Sequence, residues 1–317
     1  VPVDVAGYNY IMQNPVEEHR QKYPERKCYG SEETTGCGTR GIYYDDPEGR
    51  WMVSLNRIPN GKDSIMNCIE RGWKFYAERP WAAGLFYWTG FDYRGEPNPM
   101  SFPAVGSQFG ILDYCGFPKD ETYYLKAWWT NETVLHLLPH WNLKGHEGEK
   151  VSVWAYSNCD EVELFVNGKS AGRKKMPLNG HLEWDATYKP GSLRAVGYKN
   201  GKKVKVETVE TTGDASQIAL SVDRQQIMAD GRDVAVVTVA LKDKKGRIVP
   251  TACNNLRISV DGCCRILGVG NGDSAFKGEE HPADLECKEF SVPAFNGYAQ
   301  IILQSDGNVG NAVLRCT

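Results

Sequence analysis

Cys28–Tyr44 reads C-Y-G-S-E-E-T-T-G-C-G-T-R-G-I-Y-Y, and the way this stretch breaks decides the front of the chain. A short run, Lys27, Cys28 and Tyr29, halts at Gly30-Ser31. Two acids follow at once, Glu32 and Glu33, and then a Gly- and Thr-rich loop. A carboxylate at the C-terminal tip of a buried strand is where a barrel of alternating strands and helices carries its chemistry. Two similar tips flank this one, V-A-G-Y-N-Y at Val5–Tyr10 and G-L-F-Y-W-T-G-F-D-Y at Gly84–Tyr93. Together they predict one pocket lined with Tyr, Glu, Trp and Asp, side chains that suit a sugar.

Helical segments separate the tips. Pro15 opens P-V-E-E-H-R-Q-K-Y, with Glu17 and Glu18 in the first turn and Lys22 near the end, a polarity that suits the helix dipole; Pro24 stops it. Ser64–Ala77 predicts a second helix with Ile65, Cys68, Ile69 and Trp73 as its apolar stripe. Ala82–Trp88 is apolar throughout, as a strand buried on both faces should be. Pro118–Trp129 predicts a third helix. The order β-α-β-α-β-α over residues 1–132 predicts a parallel α/β unit, about half of an eight-fold barrel. Half a barrel leaves an open edge, so the missing strands are expected upstream. Val1 stands directly before a strand-like segment, and the absence of a signal peptide therefore carries little weight.

From Thr133 onward the pattern changes to short alternating strands. Asn167-Gly168 and Asn200-Gly201 are two-residue hairpin signals. Residues 133–212 predict one immunoglobulin-like β-sandwich. After the polar link T-T-G-D-A-S, residues 213–317 predict a second. The expected fold is thus multidomain α/β plus all-β: a partial (β/α)8 barrel followed by two sandwiches.

Composition narrows the function classes. In 317 residues the net charge is −3, which recruits neither nucleic acid nor an anionic membrane. No apolar run approaches the roughly 18 residues of a membrane span. The chain holds 9 Trp and 16 Tyr, clustered before position 160, where they serve both cores and sugar platforms. Its 10 Cys form no C-x-x-C pair, and Cys263-Cys264 are adjacent. Neither a disulfide scaffold nor a zinc site is therefore expected, and mostly reduced, buried thiols are. No cofactor or metal is predicted.

The motifs, taken together, resemble glycoside hydrolase family 2, which includes bacterial β-galactosidases and β-glucuronidases. They are G-Y-N-Y, H-x-x-x-Y-P, G-S-E-x-T-x-x-x-x-x-R-G and F-Y-W-T-G-F-D-Y-R-G-E-P, followed by Q-F-G-I-L-D, K-A-W-W and S-N-C-D-E-V-E-L-F-V-N-G-K. The first four are similar to the last three strands of that family's catalytic barrel. S-N-C-D-E-V-E-L-F-V-N-G-K is similar to the sandwich that follows it. The resemblance implies a retaining glycosidase, which needs a carboxylate nucleophile and a second carboxyl about 5 Å away. It assigns the nucleophile to Glu32, with Glu33 as runner-up. Tyr10 is the matching orienting tyrosine, with Tyr8 as the other choice. Trp88 is the sugar-stacking residue, with Asn9 and Asp92 as further substrate contacts; for Asp92, a loop brace is the equal alternative. Arg40 reads as structural and His19 as packing.

The family's acid/base lies in an Asn-Glu pair on an earlier strand. Here the only such pair, Asn131-Glu132, comes after the last barrel helix. The acid/base is therefore expected from an N-terminal part of the same enzyme, and this chain alone is expected to be inactive. Glucuronidases carry a lysine where this chain has Phe109, which points to a β-galactoside or related oligosaccharide. A carbohydrate-binding or adhesion module, or a structural fragment, is the alternative. A bacterial enzyme, cytoplasmic or periplasmic, is implied, and a homo-oligomer is left open.

Overall fold

The computed structural model describes residues 3–34, 36–57 and 69–317. Strands dominate it, and helices are few. At the front, β1 (Val5–Asn9), β2 (Lys27–Glu33) and β3 (Ala82–Tyr87) form a parallel sheet in that order. Helices α1 (Val16–Lys22) and α2 (Ile69–Ala77) pack on one face, where Ile11, Val16, Cys28, Tyr76 and Ala82 bury together.

Three expectations about this unit are corrected, and a fourth lies partly outside the described residues. Strand β2 does not halt at Gly30-Ser31 but continues to Glu33, because its neighbours go on pairing with it. The Tyr10 amide donates to the Glu32 carbonyl at 2.7 Å, and the Trp88 amide to the Glu33 carbonyl at 2.8 Å. Strand β3 is not buried on both faces, since the helices cover only one, and Phe86 on the other is 68% exposed. The second helix is described from Ile69; Ser64, Ile65 and Cys68 of its expected course lie outside the described residues. The third helix, α3 (Asp120–Trp129), starts after Lys119 rather than at Pro118.

Two immunoglobulin-like sandwiches follow. The first faces the sheet of Leu182–Thr187, Lys150–Ser157 and Leu135–Leu138 against that of Lys202–Glu210, Ser192–Lys199, Glu161–Val166 and Lys169–Lys175. Both Asn-Gly turns have positive φ at each central residue (49° and 80°; 51° and 73°), the twist that lets a two-residue loop join right-twisted strands. Trp154 and Trp184 are buried, so neither offers a sugar platform. In the second sandwich, Gln217–Val222, Val234–Lys242, Tyr298–Ser305 and Cys264–Gly270 face Glu289–Pro293, Asn255–Gly262 and Ala312–Cys316. A cluster of Ile69, Tyr124, Leu125, Leu138, Trp154 and Tyr156 joins α2 and α3 to the first sandwich. Nine described cysteines are free; five are buried, and Cys253 is exposed.

Candidate active site

Residues at the C-terminal ends of the three parallel strands come together. Their arrangement depends on one irregularity in β2. Tyr8 pairs with Gly30, but Asn9 pairs with Glu32, so Ser31 is the extra residue of a bulge. Before it, side chains alternate normally. A Cβ added to Gly7 would meet the Tyr29 hydroxyl at 3.1 Å and Ser31 Cβ at 3.2 Å, which puts those three on the open face. A Cβ added to Gly30 would fall on the Tyr76 hydroxyl and on Glu33 Cγ, which puts Gly30 and Glu33 on the helix face. Three positions separate Gly30 from Glu33, an odd spacing that strict alternation forbids on one face. The extra residue absorbs the slip, and Ser31 and Glu32 both turn to Asn9.

On the open side, Ser31 Oγ donates to Asn9 Oδ1 at 2.7 Å, and Asn9 Nδ2 reaches Glu32 Oε2 at a long 3.4 Å. The Tyr10 hydroxyl also approaches Glu32, whose hydrogen-bonding pull and charge act on it. Burial, then that pull, then the charges of Glu32, Tyr93 and Glu33 push the Tyr10 hydroxyl well above the usual phenol range. Tyr10 therefore stays a proton donor at neutral pH. Its backbone sits in the left-handed region, φ 51°. Trp88 lies edge-on to Tyr93, ring centroids 5.7 Å apart, and keeps 36% of its surface exposed. A half-exposed carboxylate with two neutral donors and an open indole beside it can accept an electrophilic carbon and a sugar ring.

On the helix side, Glu33 is 1% exposed. Its Oε1 accepts from the Ile11 amide at 2.6 Å and from the Tyr76 hydroxyl at 2.5 Å. Burial raises its pKa, and those two hydrogen bonds oppose the rise.

Asp92 stands apart from Glu32. It is buried, and its Oδ1 accepts from Lys119 Nζ at 2.7 Å and from the Gly110 amide at 2.9 Å. Burial pushes its carboxyl up to about 6, against the pull of Lys119. This geometry fits the loop brace rather than the sugar contact. Arg40 is also buried away from the tips. Its Nε donates to Asp113 Oδ2 at 2.6 Å, and its terminal nitrogens reach the carbonyls of Asn271, Phe295 and Asn296 in the second sandwich. His19 stacks on Tyr8 and hydrogen-bonds its hydroxyl at 2.9 Å, a packing role that also occupies Tyr8. Phe109 is buried as well. Sequence reasoning missed Lys119 and Tyr76, which nothing in their local sequence distinguishes, and gave Ser31 no role although it stands in the G-S-E motif.

Cavities of about 550 and 630 Å³ lie elsewhere, where the loop after β2 meets both sandwiches. The first is lined in part by Tyr43, Asp120, His136 and His140. Among the described residues no cluster of three or more His, Cys, Asp or Glu could hold a metal ion.

The family described as Glycoside hydrolase family 2 C-terminal domain 5 matches residues 218–317, and Domain of unknown function (DUF4982) matches residues 148–205. The beta-galactosidase BoGH2A of Bacteroides ovatus is 36% identical over 99% of this chain, which spans 38% of that protein. A putative beta-glucuronidase of Formosa agariphila is 34% identical over 70% of this chain and 22% of its own length. The crystal structure of a beta-glycosidase from Bacteroides vulgatus superposes with a TM-score of 0.85 at 28% identity, covering 100% of this chain and 44% of that one. The chain thus spans less than half the length of these relatives.

Proposed function

This chain belongs to glycoside hydrolase family 2, and from that premise we propose that it carries the nucleophile side of a retaining exo-β-glycosidase site. Residues 1–132 are read as part of a (β/α)8 barrel, with 133–212 and 213–317 as separate sandwich domains. The sequential order of three parallel strands, helices on one face and polar groups at the C-terminal tips supports that reading.

The observation that carries the proposal is the bulge that turns Glu32, and not Glu33, toward Asn9, Tyr10 and the open side. In the first step Glu32 attacks the anomeric carbon while the glycosidic bond breaks, giving a glycosyl-enzyme ester. A carboxyl from outside these residues protonates the leaving oxygen. That same carboxyl then takes a proton from the water that cleaves the ester. Tyr10 donates to Glu32 and holds the attacking oxygen in line. Trp88 stacks on the sugar ring, and Asn9 orients both Ser31 and Glu32. Without the second carboxyl this chain alone does not turn over.

The substrate is read as a terminal β-D-galactoside. The Phe109 position supplies no cation for a uronate, and the relative that matches nearly the whole chain is named a beta-galactosidase. A β-glucuronide is the second reading, favoured by the names of the Formosa relatives. In the full-length protein, Glu32→Gln should lower kcat on a chromogenic β-galactoside by on the order of a thousandfold or more, the scale of losing a covalent nucleophile. Retained turnover would place the nucleophile elsewhere. Wild-type rates on paired aryl β-galactoside and β-glucuronide decide the sugar, and faster cleavage of the glucuronide reverses the assignment.

A further inference from the structure

The Glu33 side chain faces the helices and not the open side, yet the residue reaches all three strand tips. Its side chain grips the amide of Ile11, the residue after Tyr10, at 2.6 Å. Its own carbonyl holds the amide of Trp88 at 2.8 Å. Its chain neighbour is Glu32, whose carbonyl takes the Tyr10 amide at 2.7 Å. The Tyr76 hydroxyl, from α2, closes the arrangement at 2.5 Å on the same Oε1 that Ile11 uses. Gly30 leaves the room for it, because a side chain there would displace both Tyr76 and Glu33.

We infer that Glu33 is a positioning residue for the proposed glycosidase site, clamping the tips of β1, β2 and β3 so that Tyr10, Glu32 and Trp88 keep their mutual geometry. The inference rests on the proposed function but concerns a residue that never meets substrate. Tyr10 needs such a clamp. It sits at φ 51°, a conformation that a residue with a side chain keeps only when its surroundings hold it. The Ile11 amide is the next anchor along the chain, and Glu33 is what fastens it.

A buried carboxylate with two donors on one oxygen can be replaced by glutamine, whose carbonyl still accepts from both. Alanine removes the acceptor and leaves the Ile11 amide and the Tyr76 hydroxyl unpaired inside the protein. In the full-length protein, Glu33→Ala should lower kcat on an aryl β-galactoside by about tenfold or more, with KM changed far less, because the loss is in alignment rather than in sugar binding. Glu33→Gln should recover most of that loss. Tyr76→Phe, which keeps the Ile11 contact, should fall between and serves where Glu33→Ala fails to fold. Amide exchange read by mass spectrometry over residues 8–13 and 86–90 gives a readout independent of activity. Exchange should quicken in Glu33→Ala and stay near wild type in Glu33→Gln.

Equal loss of kcat in the Gln and Ala variants would overturn the inference, since the ionised oxygen itself would then be doing chemistry. So would unchanged kcat together with unchanged exchange in Glu33→Ala. If Glu32→Gln keeps full turnover, the proposed function falls. The exchange comparison then still decides whether Glu33 clamps the tips.

Discussion

At the tip of β2, Glu32 is half-buried and lightly held, by a 3.4 Å contact from Asn9 and by the Tyr10 hydroxyl. In the loop that follows, Arg40 is buried and fully engaged, with Asp113 on one side and three carbonyls of the second sandwich on the other. The adjoining seam is similar. His136 Nε2 sits 2.8 Å from Asp120 Oδ1, its Nδ1 is 3.5 Å from Glu207, and Tyr43 donates to the other Asp120 oxygen at 2.8 Å. Polar groups that hold modules together are buried and saturated, because an unpaired buried one is costly. Polar groups left reachable and under-bonded are free to meet a ligand. Seam variants should therefore change stability and spare kcat, and tip variants should do the reverse.

The severest test is Arg40→Ala. It strands Asp113 in the interior and should cost about 3–5 kcal/mol of unfolding free energy. Denaturant unfolding measures this, with kcat of the folded fraction staying near wild type. An unchanged midpoint would mean the seam is not the stabilising region.

A smaller effect is expected at His136 and depends on pH. Burial alone would lower its pKa, but hydrogen bonds and charges from Asp120 and Glu207 outweigh that and raise it to about 9. A histidine whose folded pKa lies above its unfolded value of roughly 6.5 stabilises the charged, folded form. The contribution, up to roughly 3 kcal/mol, is complete below about pH 6.5 and fades as pH rises through about 9. The Tm difference between wild type and His136→Gln should shrink over that window. A difference that is flat with pH would remove the charge from the account.

The mildest change belongs to the tip. Tyr10→Phe removes one donor to a carboxylate, worth about 1.5–3 kcal/mol, or roughly a tenfold to hundredfold loss of kcat. Tm should hardly move. A large Tm loss with kcat preserved would make Tyr10 a seam residue in disguise.

Much of this was legible before any coordinates. Turn chemistry at Asn167-Gly168 and Asn200-Gly201 marked the hairpins, because those φ values are local properties. Strand and helix order marked the parallel unit for the same reason. Glu32, Tyr10, Asn9 and Trp88 are singled out by their motifs alone, and the structure brings their strand tips side by side. For Asp92 the sequence leaves sugar contact and loop brace as equal readings, because its partner, Lys119, is unrelated to it in local sequence. The reach of Arg40 into the second sandwich was invisible for the same cause.

Sequence by itself determined the element types, their order and the presence of two adjacent acids at a strand end, since each follows from nearest neighbours and side-chain chemistry. Which acid faces outward was decided only by tertiary structure. A single unpaired residue, Ser31, resets the alternation of β2, and that slip exists only in the pairing of one strand with another.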